Sequence, residues 1–194
     1  MGPLERYEYL DHMYNKVQHG ASRRLLHCDL LLSVTQLNGI RAMCMNATFI
    51  CLTIDLLKDC DIASPFATDQ PWMLDLPPSL QPTALQKQVP HHPWIDLFPI
   101  PSIRDAMLKH LDQIDEEQLC EDLFFGSPSH PHSRTGLLVW GEPWDPSGYE
   151  FSENILRDQS WILLDASDVI QSTNYWRVKR GERPLLLPLA PSPE

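Results

Sequence analysis

Apolar positions in this chain recur mostly every three or four residues, the period of a helix with one buried face. Leu4, Tyr7, Leu10, Tyr14 and Val17 mark a first amphipathic helix, stopped near Gly20. Ser22 can cap a second, carrying Leu25, Leu26, Leu30, Val34 and Leu37. Gly39 weakens or kinks it, and Ile40, Met43, Cys44, Ala47, Cys51 and Ile54 continue the spacing to about Leu57. The pattern fits two helices or one long bent one, and it predicts a core built on a central hairpin of apolar helices. Further on, Pro101 opens a helix with Ile103, Met107 and Leu111 inward, and Asp115-x-x-Gln118 reads as a capping box that leads Leu119, Leu123 and Phe124 into the core. Phe151, Ile155 and Leu156 predict one helix face. Trp161, Leu164, Val169 and Ile170 extend the helical pattern, with a break near Ser167, and a last helix carries Tyr175, Trp176 and Val178 to Gly181.

Two stretches depart from that period. From Ser64 to Pro93, prolines at 65, 71, 77, 78, 82, 90 and 93 are too dense for a helix. Yet Trp72, Met73, Leu74, Leu76, Leu80 and Leu85 are apolar, so the segment is expected as an extended strap or lid over the helices. The second is Gly136 to Glu150, where Leu137, Leu138 and Val139 lack polar alternation and must be buried or extended. Asp145-Pro146 reads there as an N-cap with a first-turn proline and Ser147-x-x-Glu150 as a capping box, which predicts a helix start just after Trp144. Ser127 to Thr135 reads as an exposed loop, and Pro184 to Glu194 as a tail that is frayed or clipped down by Leu185 to Leu187. Strand-like alternation is nearly absent. The expected fold is therefore mainly α: a single compact helical domain over 1–185 with a proline-rich extended strap, little or no sheet, and a proline-rich tail over 186–194.

A chain of 194 residues buries roughly 70% of its unfolded surface without disulfides or metals. Fifteen basic against 26 acidic side chains give a net charge of −11, which opposes binding to DNA or anionic lipid. The apolar region 30–57 is interrupted by Asn38, Arg41 and Asn46, so no membrane span is expected. The N-terminus lacks the apolar core of a signal peptide, and Arg6 spoils a myristoylation site at Gly2. Five cysteines (28, 44, 51, 60 and 120) form no Cys-x-x-Cys pair. They read as buried reduced thiols, with Cys44 and Cys51 on one helical face, in an intracellular, cytoplasmic protein.

Candidate chemistry gathers beside the proline breaks. His91 and His92 are adjacent on an extended segment and point to opposite sides, a poor arrangement for one metal. His130 and His132 flank Pro131 in a polar loop, so no metal site is expected. One of His91 or His92 can instead hydrogen-bond a buried acid such as Asp96 or Glu142. Glu142 and Asp145 flank Trp144 and could do acid–base work beside a tryptophan wall; equally, capping accounts for Asp145 and pairing with Arg177 for Glu142. No Walker loop, dinucleotide fingerprint, Gly-x-Ser-x-Gly elbow or zinc-deaminase pattern occurs, so no cofactor is expected. Six tryptophans, clustered with Tyr175 and Arg177, are core anchors or the walls of an apolar cavity with a few polar points.

Three blocks carry a family resemblance: His91-His92-Pro93-Trp94-Ile95-Asp96-Leu97-Phe98-Pro99, Leu137-Leu138-Val139-Trp140-Gly141-Glu142-Pro143-Trp144-Asp145-Pro146, and Ser172-Thr173-Asn174-Tyr175-Trp176-Arg177. With Leu76 to Thr83 and Lys179-Arg180-Gly181-Glu182, they resemble the fungal domain of unknown function that commonly follows a basic leucine zipper in transcription regulators. The resemblance covers roughly residues 25–185. It implies a regulatory or ligand-sensing region without established catalytic residues. No basic region or heptad repeat precedes it here, so a freestanding copy without nucleic-acid binding is expected. The favoured expectation is a fungal secondary-metabolism protein that binds an apolar small molecule: a cofactor-independent cyclase or isomerase, for example a Diels-Alderase. In that expectation His91, Tyr175, Arg177 and Glu142 are catalytic, and His92, Trp94, Asp96, Trp140, Trp144 and Trp176 bind substrate. The strap closes over a cavity walled by Trp140, Trp144, Tyr175 and Trp176, with Arg177 neutralising Glu142 or Asp96. The alternatives are a non-catalytic ligand-sensing or protein-interaction domain, and a helical scaffold whose tryptophans are all core.

Overall fold

The computed structural model describes residues 27–57, 61–67, 75–124 and 136–186. The expected first helix around Leu4–Val17, the loop 127–135 and the tail beyond Leu186 lie outside them. Helix α1 runs His27–Phe49 and passes through Gly39 without a break. The penalty for a helical glycine is offset by packing. Gly39 is buried, and a methyl there would stand 3.6 Å from Phe124 Cδ1 and 3.7 Å from the Leu137 carbonyl oxygen.

Instead of continuing to Leu57, α1 stops at Phe49. Cys51 takes a left-handed conformation with φ of 57°. Its N–H donates to Thr48 O at 3.2 Å, and the Leu52 N–H donates to Ala47 O at 2.9 Å. That is the Schellman arrangement, with cysteine where glycine is usual. The one-turn helix α2, Ile54–Leu57, follows. Of the two expected forms, two helices or one long bent one, the chain takes a single helix that ends at Phe49, and Cys51 is an exposed thiol off the helical face it was expected to share with Cys44.

The strap forms as a succession of turns, including 3-10 turns at Pro78–Leu80 and Pro93–Leu97. Leu76 and Leu80 are its buried anchors. Helix α3, Pro101–Lys109, starts on its proline and buries Ile103, Ala106 and Met107. Helix α4 spans Glu116–Phe124. Asp115 Oδ1 caps it by accepting from Gln118 N at 3.0 Å. The Gln118 side chain does not close the box; it turns forward to Asp122 Oδ1 at 3.0 Å.

From Gly136 onward the chain makes a β-hairpin, not a helix start. Strand β1, Leu137–Val139, pairs antiparallel with β2, Tyr149–Phe151, in the register Leu137↔Phe151, Leu138↔Glu150 and Val139↔Tyr149. Asp145 does cap through its side chain, to Ser147 N at 2.9 Å, but over a single 3-10 turn, Pro146–Gly148. Glu150 is thereby a strand residue and Phe151 lies on a strand as well. The true N-cap is Ser152, whose Oγ accepts from Ile155 N at 3.3 Å. It opens α5, Glu153–Asp158, followed by α6, Ser160–Asp165. The break near Ser167 forms, and α7 runs Asp168–Lys179, ending before Gly181 at φ 77°.

Strand β1 packs on α1, β2 on α7, and α3 on α6, so the small sheet sits between helices and both its strands are buried. Gly136 is set by close approach: a methyl there would lie 2.4 Å from the Asp122 carbonyl oxygen and 2.4 Å from Ile155 Cγ1. The fold is mainly helical, as the periodicity predicts, with the two-stranded sheet as its addition.

Candidate functional site

The residues singled out by sequence fall into three neighbourhoods, one of them buried and charged. Asp96, with none of its surface exposed, lies at the strap's second 3-10 turn. Its Oδ2 accepts from Ser64 Oγ at 2.6 Å, and its Oδ1 accepts from Gln86 Nε2 at 2.6 Å and His91 Nε2 at 2.8 Å. The other ring nitrogen of His91, Nδ1, faces Val89 O at 2.6 Å. A carbonyl oxygen can only accept, and the Asp96 carboxylate accepts as well, so both His91 nitrogens donate and the ring is an imidazolium. Burial alone lowers the His91 pKa. The hydrogen bond and charge of Asp96, with the Val89 carbonyl, outweigh it and raise the value above the ordinary one.

Beneath this pair lies Arg104 of α3, which is also completely buried. Its Nε donates to Gln86 Oε1 at 2.8 Å, Nη1 to Ser79 O at 2.8 Å and Phe98 O at 2.5 Å, and Nη2 to Gln81 O at 2.8 Å. Burial lowers its pKa to about 10 against the opposing pull of Asp96 and Asp105, so it is charged at neutral pH. Gln86 joins arginine to aspartate, and it is held by a reciprocal box: Thr83 N donates to Gln86 Oε1 at 3.0 Å and Gln86 N to Thr83 Oγ1 at 3.1 Å. The signal for this was present as Thr83-x-x-Gln86. Ser64, His91 and Asp96 contain the residue types of a hydrolase triad in the wrong order. Serine and histidine both donate to the aspartate, so histidine does not activate the serine. This network fixes the strap to α3.

The second neighbourhood is a junction of backbone carbonyls. Asn46 of α1, fully buried, donates through Nδ2 to Leu97 O and Pro143 O, both at 2.8 Å, and to Tyr149 Oη at 3.3 Å. Tyr149 donates its hydroxyl to Pro143 O at 2.6 Å, and burial raises its pKa. Trp144 stands edge-on to Phe49, with centroids 5.4 Å apart, and its carbonyl accepts from Ser79 Oγ at 2.5 Å. Trp144 is thus tied to the strap and α1. Half-buried Trp94 stands edge-on to Phe98 and donates Nε1–H to Glu116 at 2.7 Å. His92 caps the second 3-10 turn, its Nδ1 accepting from Trp94 N at 3.3 Å.

The third neighbourhood is at the surface. Trp140, at the end of β1, stacks on Trp176 of α7 with centroids 5.4 Å apart and planes at 21°. Tyr175 meets Trp176 edge-on at 5.2 Å and 86°. Trp140 is 39% exposed, Tyr175 52% and Val178 57%. The rings are pinned from below: Trp176 Nε1 donates to Ser147 O and Trp140 Nε1 to Glu150 Oε2, both at 2.7 Å. Glu150, 3% exposed on β2, takes a two-pronged bond from Arg180 at 2.5 Å on each oxygen. The Arg180 guanidinium also lies 5.3 Å from the Trp140 ring centre, and the Lys179 ammonium lies 5.3 Å from that of Tyr175. Sequence reasoning missed Glu150 because the capping pattern claimed it.

Two expectations are corrected by this geometry. Arg177 pairs with Glu182 at 3.4 Å and Glu153 at 4.0 Å, with its Nε bonded to Arg183 O, and not with Glu142 or Asp96. Glu142 is exposed in the hairpin loop, where its carbonyl accepts from Asp145 N at 3.0 Å. Trp140, Tyr175 and Trp176 come together as expected, but on the outside, whereas His91 and Asp96 are spent on each other inside. Among the described residues no three His, Cys, Asp or Glu side chains gather in a way that would hold a metal ion, and no helix is long and apolar enough to cross a membrane. Neither the curated proteins nor the solved structures hold a significant match to this chain. A family profile does match, over residues 61–181, a span that takes in the strap, the hairpin and α7. By that match over more than half its length, the chain belongs to the family described as Domain of unknown function (DUF3425).

Proposed function

We propose that this domain is a recognition module that binds a small apolar molecule without transforming it, in the manner of the ligand-sensing regions that accompany zipper regulators. The observation that carries the reading is the aromatic shelf of Trp140, Trp176 and Tyr175. Soluble domains bury large rings because each removes about 150–250 Å² from water. Here Trp140 and Tyr175 stay exposed against half-buried Trp176, one stacked on it and the other edge-on, with Trp140 braced by the buried Glu150 and its Arg180. Rigid exposed rings of this kind lower the ordering cost of a stacking ligand.

A cyclase or isomerase reading draws less support. It asks His91 for a proton donor beside a substrate carbonyl, and both nitrogens of His91 are occupied by Val89 O and Asp96. Arg177 is held by Glu182 and Glu153 and not by Glu142, so the expected acid–base set does not assemble around Tyr175 among the described residues.

The test is a titration of ¹⁵N-labelled protein with 2-naphthamide, a neutral flat probe, followed on the tryptophan indole N–H signals. The reading expects saturable shifts at Trp140 and Trp176, and the shift at Trp176 vanishes in the double variant Trp140→Ala, Tyr175→Ala. Shifts centred on Trp94 and the strap, unchanged in the double variant, would overturn it.

A further inference from the structure

Building on that binding reading, we propose that the ligand of the shelf is a small aromatic carboxylate, held by stacking on Tyr175 and by the ammonium of Lys179. The shelf carries two cations with different employment. Arg180 is neutralised by its two bonds to Glu150 and a third to Glu182 at 3.1 Å, so it braces Trp140 and has little left for a ligand. Lys179 has no carboxylate partner among the described residues; its contact is the face of Tyr175. In a chain with 26 acids and 15 basic side chains, an unpaired ammonium laid over an exposed ring is a site of positive charge in a negative field.

Lysine on an exposed tyrosine is held by about 0.5–1 kcal/mol, so it is a removable cover. A flat aromatic ring can displace it and gain the face of Tyr175, with Trp176 standing perpendicular as the back wall at 86°. The displaced ammonium remains within reach of the ligand's edge on its flexible stem. For a neutral ring the exchange loses the cation–ring contact with no return. For a ring bearing a carboxylate, the ammonium trades one contact for an ion pair. The preferred ligand is therefore an arene with an acidic group at its rim.

The experiment compares 2-naphthoate with 2-naphthamide, equal in shape and different in charge, by the same indole and backbone shifts of Tyr175 to Lys179. The expected result is binding of the acid roughly threefold to fivefold tighter than the amide at low ionic strength, as for an exposed ion pair. That ratio falls to about one in Lys179→Met, and in wild type on adding salt. Equal affinity of the two probes in the wild type overturns the aromatic-acid assignment and leaves the shelf as a neutral binding site. Absence of shifts with either probe overturns the shelf reading itself. Shelf signals that move with protein concentration alone make it a contact between two copies of this chain, and overturn the small-molecule assignment.

Discussion

Replacing Arg104 by methionine keeps most of the aliphatic volume and removes the fork that holds the strap. The magnitude follows from what is left behind. Phe98 O loses its donor inside the protein, at about 1–3 kcal/mol for a buried unsatisfied acceptor, while Gln86 Oε1 keeps the Thr83 N–H and loses roughly 0.5–1.5 kcal/mol. Ser79 O and Gln81 O are partly buried and can recover water, so each loses roughly 0.5–1.5 kcal/mol. Some return comes from packing methionine, and the expected loss is about 3–6 kcal/mol. Swapping a whole buried ionic group for apolar residues is often harmless, but that result needs every partner to be replaced. Here the partners are mainly backbone carbonyls and cannot be. A domain has about 5–15 kcal/mol in total, so Arg104→Met should lie near the threshold of folding. Urea unfolding, followed by tryptophan fluorescence and far-ultraviolet circular dichroism, measures the loss. Arg104→Lys, which keeps the charge and loses the fork, should fall between the two and remain measurable if the methionine variant does not fold. A loss below about 1 kcal/mol for Arg104→Met with an unchanged denaturant slope would refute the claim that this guanidinium holds the strap.

Gly136→Ala should cost at least about 3 kcal/mol or prevent folding, because its methyl would overlap the Asp122 carbonyl oxygen; a melting point within a few degrees of wild type contradicts the close approach. His91 has a raised folded pKa, so its charged form stabilises fully below about pH 6.5, the unfolded value, and the gain is lost as pH rises through the folded value. The stability gap between wild type and His91→Gln should therefore shrink from pH 5.5 towards alkaline pH, and a gap that widens would show the assigned charge to be wrong. Arg180→Met leaves the Glu150 carboxylate with its indole donor alone and should cost about 1–3 kcal/mol, discounted for the partial exposure of Arg180. Adding Glu150→Gln should restore part of that; a double variant no more stable than Arg180→Met argues against an orphaned charge.

Helical spacing was legible wherever one face packs and the other does not. The run from Ile103 to Met107, the break at Ser167 and the stop at Gly181 all follow from apolar period and cap chemistry. The end of α1 was not legible, because a cysteine takes the left-handed position where a glycine would have announced it. The hairpin escaped for a related reason. Asp145-Pro146 and Ser147-x-x-Glu150 are genuine local helix signals, but Tyr149 to Phe151 gain more from pairing with Leu137 to Val139 between α1 and α7. In the site, the proximity of His91 to Asp96 could be read from five residues of separation. The roles of Arg104 and Arg180 could not, since each meets partners that arrive from distant parts of the chain. With 39% of Trp140 exposed, its truncation removes less buried area than that of a core tryptophan and should cost less than the about 3–5 kcal/mol of such a site.

A buried network holds the strap, and binding falls to the exposed shelf. One paired measurement tests the division: the affinity of 2-naphthamide for Tyr175→Ala and for His91→Gln, each below its own melting temperature. The account predicts that Tyr175→Ala melts within about 2–4 °C of wild type and binds about tenfold more weakly, one aromatic stack being worth up to roughly 1.5 kcal/mol. His91→Gln should melt lower and bind within about twofold of wild type, which is less than 0.5 kcal/mol. Binding lost in His91→Gln and kept in Tyr175→Ala would contradict it and place the ligand under the strap.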